Sequence, residues 1–316
     1  MRLNGLGREV RRKRLFWELK AQAHDAMAEL GRATGFKRNK YHSARGHEDD
    51  VNEGAVRVMR GLDGDELCGL EQRQLLEGIA WSHDVFQEAD PVEKSGFTFR
   101  QRKRGSNEQR TADWLRDTLV ALCDFWGRDT VSDKEIELAH TSVLWTTPAW
   151  STTYGTMIQE QLHKALEEGT WESIPVSIAM GDLLMAGHKP HIFIATSDSL
   201  FIEEWPGIDL LLRDAYLGNT EVTVDQAKTI LALMEDWDEK QKGFAAGRKK
   251  VFDYEISFFR PTVQEYLRLH CNRFDDSIYR AALRCQKRNN MEVDERAIDM
   301  GFQHVPFGKV PRVKNK

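Results

Sequence analysis

The stretch Ile79-Ala80-Trp81-Ser82-His83-Asp84-Val85-Phe86-Gln87-Glu88 sets a His directly beside an Asp, near the end of a largely apolar, helix-like run. A carboxylate on an apolar face is costly unless something satisfies its charge. A capped helix end with Asp84 in solvent would do so. A divalent cation would also do so, taking lone pairs from both side chains at once. Two further residues offer matching chemistry, His47 upstream and Asp182 downstream. Two imidazoles and two carboxylates form a mixed nitrogen and oxygen donor set suited to Mn, Fe, Co, Zn or Mg. One divalent ion is therefore the expected cofactor, and ligand type alone does not choose among these metals.

Four sequence-distant donors can meet only if helices carry them back to one level. The pattern 8–30 places Val10, Leu15, Phe16, Leu19, Ala23, Met27 and Leu30 at helical spacing, and 31–40 reads as a basic loop. From His47 a helical pattern runs through Val51, Ala55, Val58, Met59 and Leu62 to the turn chemistry at Gly61-Leu62-Asp63-Gly64-Asp65. A second carries Leu70, Leu75, Leu76, Ile79, Ala80 and Val85. The outward helix travels roughly 21 Å and the return roughly 18 Å at ~1.5 Å per residue, so an antiparallel pair brings His83 back to the level of His47.

Beyond this pair, 90–106 breaks periodicity and reads as a basic loop containing Arg100-Gln101-Arg102-Lys103-Arg104. Helical patterns resume over 107–126, 133–147 (stopped by Pro148), 155–166 and 173–187, the last apolar apart from Asp182. Further patterns cover 208–217, 224–237, 245–258, 262–269 and 276–288, and the chain from Met291 reads as an extended tail. No sustained strand alternation is visible, so the expected class is all-α. The expected organisation is an N-terminal helix and basic loop over 1–40, a helical metal-binding domain over 41–217, a helical extension over 218–290 and the tail over 291–316.

Composition narrows the function classes. With 41% apolar and 30% charged residues, the 316-residue chain reads as globular, with length to bury a core. Fifty acidic against 45 basic residues give a net charge of −5, which supplies no global field for nucleic acid. Cys68, Cys123, Cys271 and Cys285 form no C-x-x-C pair, which argues against a thiolate zinc site and fits reduced thiols. The charged amino terminus lacks the apolar core of a signal peptide, and 174–187 is too short to span a bilayer. The expectation is a cytoplasmic protein with no membrane partner; a homo-oligomer is left open.

The order His47, then His83-Asp84, then a distant Asp182 resembles the HD-domain superfamily of metal-dependent phosphohydrolases, and the likeness extends to neighbouring motifs. Tyr41-His42 followed by His47 is similar to the entry of one small helical branch. Asn107-Glu108 with Thr111-Ala112 is similar to its Asn-Glu-x-x-Ser-Ala, and Gly181-Asp182-Leu183-Leu184-Met185-Ala186-Gly187 to its Asp-x-Asp-Leu-x-x-x-Gly. The 137–147 helix ending in Thr147 and the 247–259 segment add fainter likenesses, so coverage is roughly 41–260 by short motifs. The chain departs from the pattern in four places. One extra residue separates His42 from His47, Met180 replaces the first Asp, Pro148-Ala149-Trp150 stands where a His often follows, and the stretch before Asp182 is expanded.

The resemblance implies an HD-like helical bundle with additional C-terminal helices. It implies His47, His83, Asp84 and Asp182 as metal ligands, and hydrolysis of a small phosphorylated substrate, above all a nucleotide. The metal would lower the pKa of water and polarise a phosphoryl oxygen. In that scheme Asp84 orients the water, Glu88 and Glu108 are candidates to move a proton to the leaving group, and Lys40, Arg45 and Arg110 are candidate phosphate clamps. Each residue has a plainer role to weigh. Glu108 fits a helix N-terminus, Glu88 solvent, and His140 and the tryptophans a core. The alternative function is an HD-like module that binds a nucleotide or metal without turnover. Nucleic-acid binding through the basic loop would be weak and salt-dependent.

Overall fold

The computed structural model describes residues 6–34, 47–63, 69–103, 105–147, 153–169, 172–188, 201 and 204–271. Its architecture is all-α with one small hairpin. In chain order the elements are α1 (Arg8–Thr34), α2 (His47–Asp63), α3 (Leu70–Ser82), β1 (Ala89–Lys94), β2 (Phe97–Arg102), α4 (Ser106–Trp126), α5 (Asp133–Leu144), α6 (Thr153–Glu168) and α7 (Ser173–His188). They continue with α8 (Pro206–Tyr216), α9 (Val224–Ile256) and α10 (Pro261–Cys271). Among the described residues no helix is long and apolar enough to cross a membrane. The segment 276–288 and the tail lie outside the described residues.

Two compact units divide the chain, each discontinuous in sequence. The first comprises Met1–Glu88, Lys103–Met185 and Val251–His270; the second comprises Ala89–Arg102, Ala186–Lys250 and Cys271–Lys316.

In the first unit, α1 buries Leu15, Phe16, Leu19, Ala23 and Met27, the apolar stripe of its 3.6-residue period. Gly78 on α3 lets α1 approach closely, because a Cβ there would lie 2.5 Å from Phe16 Cδ1. Arg12 is fully buried; its two terminal nitrogens are paired, while Nε has no hydrogen-bond partner among the described residues. Arg12 donates to Thr130 O at 2.9 Å, Glu71 O at 2.8 Å and Glu135 Oε1 at 2.7 Å, so one guanidinium joins α1 to α3 and to the start of α5. Burial opposes charge on Glu135, but the Arg12 hydrogen bond prevails and holds its carboxyl below the usual range. Ser132 and Glu135 close a capping box at the start of α5. Helix α7 buries Ile174, Val176, Ile178, Ala179, Met180 and Leu183, so over 174–183 it is covered nearly all round rather than along one stripe.

The second unit corrects two expectations. Part of the segment read as a basic loop pairs as an antiparallel hairpin, with Lys94 opposite Phe97 and Ala89 opposite Arg102. Its turn residues Ser95 and Gly96 have φ of 54° and 78°, the left-handed pair that a two-residue type I′ turn requires. β1 is exposed along most of its length and carries Pro91, so strand alternation was not visible there. Phe97 packs with Phe201, Trp205, Ile208, Ile230 and Leu233 in this unit's core. The patterns 224–237 and 245–258 also join into one helix, α9, which runs through Gly243 and Gly247 despite their poor helix propensity.

Candidate metal centre

Helices α2 and α3 form the expected antiparallel return, with His47 the first residue of α2 and His83 the C-cap of α3. The two Nε2 atoms stand 3.0 Å apart and the ring centroids 5.0 Å apart. Asp84 Oδ2 lies 3.1 Å from His47 Nε2 and 3.7 Å from His83 Nε2. Asp182, in the middle of α7, brings Oδ1 to 3.4 Å from His47 Nε2. All four side chains are buried.

This arrangement fits a cation better than a hydrogen-bond network. His83 Nδ1 donates to the Ala80 carbonyl at 2.7 Å, which turns Nε2 inward toward His47. Nε2 of His47 faces the other imidazole nitrogen and two carboxylate oxygens, and a ring nitrogen carries at most one proton. One hydrogen on His47 Nε2 cannot be directed at all of these neighbours at once, whereas a cation held by His47, His83 and Asp84 would take a lone pair from each. The spacings agree: corners ~2.1 Å from a centre lie about 3.0 Å apart in an octahedron and about 3.4 Å in a tetrahedron. His47, His83 and Asp84 each offer a ligand atom within 4.8 Å of the others.

The electrostatics show the same preference. Burial by itself would lower the His47 pKa, but hydrogen bonds and charges from Asp182 and Asp84 overcome it and push the ring up to about 9. A proton then occupies the place that suits a positive ion. Glu108 in the first turn of α4 is also affected. Burial, with the negative charges of Asp84 and Asp182, raises its carboxyl above the usual range, while Gly105 N–H, donating to Oε2 at 2.6 Å, partly offsets this.

The other expected site residues divide. Glu88 forms ion pairs with Arg110 and with Lys103, 3.8 Å away, and the Arg110 guanidinium lies 4.2 Å from the Phe86 ring centroid. Glu88 is thus paired with two cations, and Arg110 with a carboxylate. Lys40, Arg45, Tyr41 and His42 lie outside the described residues. His140 sits 3.0 Å from Asp113 in a surface pair.

Four further residues support the chain around the His-Asp pair. Asn107 donates to Glu88 O at 3.1 Å and accepts from Glu88 N at 3.2 Å, while Thr111 Oγ1 accepts from Phe86 N at 3.2 Å. The start of α4 thereby clamps the backbone just after the His-Asp pair. Val85 packs with Ala23 and Met27 of α1. Gln87, in the non-helical chain that follows α3, donates to Asp84 Oδ1 at 2.6 Å, a contact with no signal in the sequence. Family models, curated proteins and solved structures give no match to this chain.

Proposed function

We propose that this chain is a metal-dependent phosphohydrolase that cleaves a phosphate ester or anhydride of a small molecule, a nucleotide above all. The observation that carries the reading is the cluster of His47, His83 and Asp84, with Asp182 3.4 Å from His47. The reaction class follows from the order of these ligands and its resemblance to the HD superfamily. Bound there, a divalent ion supplies Lewis-acid polarisation of a phosphoryl oxygen and a more acidic water. The residues do the rest. His83 is locked in one tautomer by Ala80 O, and Asp84 is held so that Oδ2 faces the imidazoles. Glu108, kept protonated further up the pH scale than an ordinary glutamate, can hand a proton to a departing oxygen.

The test is to strip the purified chain with a chelator, reload it with Mn, Co or Mg, and measure phosphate release from a panel of nucleotides and sugar phosphates. Hydrolysis in the parent should disappear in Asp84→Ala and should lose its high-pH limb in Glu108→Gln. Unchanged hydrolysis in Asp84→Ala would refute the site. Full metal loading with no hydrolysis of any substrate would favour a nucleotide-binding regulatory module instead.

A further inference from the structure

The two oxygens of Asp84 have different surroundings. Oδ2 faces the imidazoles, 3.1 Å from His47 Nε2 and 3.7 Å from His83 Nε2. Oδ1 takes the Gln87 amide at 2.6 Å. Gln87 is buried, and both its neighbours are fixed by backbone hydrogen bonds, Phe86 to Thr111 and Glu88 to Asn107. The amide therefore approaches Asp84 from a clamped stretch of chain.

A carboxylate that bridges two cations must turn one oxygen to each. An amide N–H aimed at Oδ1 puts the positive end of a dipole where a second cation would have to sit. The amide nitrogen has no lone pair to offer in exchange, since it is delocalised into the carbonyl. From this geometry we propose that Gln87 is a positioning residue that limits the centre to a single cation, by engaging Oδ1 and leaving only Oδ2 for coordination. The inference rests on the four side chains forming a cation centre and is independent of the reaction assigned to it.

The experiment uses the full chain, chelator-treated, titrated with Mn²⁺ alone and followed by calorimetry and electron paramagnetic resonance. The parent should take one Mn²⁺ per chain and give the resolved hyperfine spectrum of an isolated ion. Gln87→Ala should bind that ion about 10- to 100-fold more weakly, the usual effect of losing a partner that orients a ligand. Gln87→Glu, which keeps the shape but replaces the donor with an oxygen, should take two ions and show an exchange-coupled spectrum. Thermal unfolding of each metal-free variant establishes that it is folded, and the isosteric Glu variant serves if the Ala variant is not. Two ions in the parent, parental affinity in Gln87→Ala, or a single ion in Gln87→Glu would each overturn the proposal. A parent that binds no Mn²⁺ would overturn the centre itself. Hydrolysis is not read, so failure of the phosphohydrolase assignment is a separate result.

Discussion

His47 links the proton and the cation. Its folded pKa of about 9 lies above the reference value of 6.5, against the effect of burial and because of Asp182 and Asp84. A group raised in this way contributes stability that is fully present below its unfolded pKa and is lost as pH rises through the folded one. Chelator-treated protein should therefore melt progressively lower between pH 6.5 and about 9, and His47→Gln should flatten that slope. With Mn²⁺ present the dependence reverses, because proton and cation compete for the same nitrogen. Affinity should rise with pH, and binding at neutral pH should release a proton, measurable by calorimetry in buffers of different ionisation enthalpy. At this scale His47, His83 and Asp84, which meet in one cluster, were legible from residue type and order. Gln87 was not, because an uncharged amide carries no ligand signal until its partner is in view.

Among the elements, α7 matters most, because it delivers Asp182. Its approach to α2 depends on Gly181, where a Cβ would lie 2.7 Å from Val51 O and 2.9 Å from Ala55 N. Those are backbone atoms and cannot step aside as a side chain would. Gly181→Ala should cost about 1–3 kcal/mol by overpacking and should weaken Mn²⁺ binding as Asp182 is pushed back. Chemical denaturation and metal titration check the two effects. Gly61→Ala on the same helix α2 is the control, since its Cβ would meet only Val263 at 3.4 Å. It should be neutral or stabilising by up to about 1 kcal/mol through helix propensity. Most helices were readable from apolar spacing. The hairpin was hidden by a polar, exposed first strand, and the unity of α9 by two glycines that mark a break only when nothing else supports the helix.

Across the whole molecule, the centre ties together α2, α3 and α7, which are widely separated in the chain. A ligand that binds only the folded form stabilises it by mass action, about 2.7 kcal/mol at a hundredfold excess over Kd. The melting temperature should rise with Mn²⁺ concentration, and Asp182→Asn should lose most of that rise; in chelator it should melt below the parent at neutral pH, because protonated His47 loses a partner, with the gap closing as the pH approaches about 9. A parent insensitive to added cation would contradict the centre. By itself the sequence determined the all-α class, the meeting of His47 with His83 and Asp84, and the α2–α3 return, since these follow from residue chemistry, a 3.6-residue period and two helix lengths. Tertiary structure alone decided that α7 meets α2, that Arg110 pairs with Glu88, and that Gln87 holds Asp84. Periodicity reports which face of a helix is apolar; which neighbour that face meets depends on three-dimensional packing, here on a missing Cβ and on a few buried hydrogen bonds.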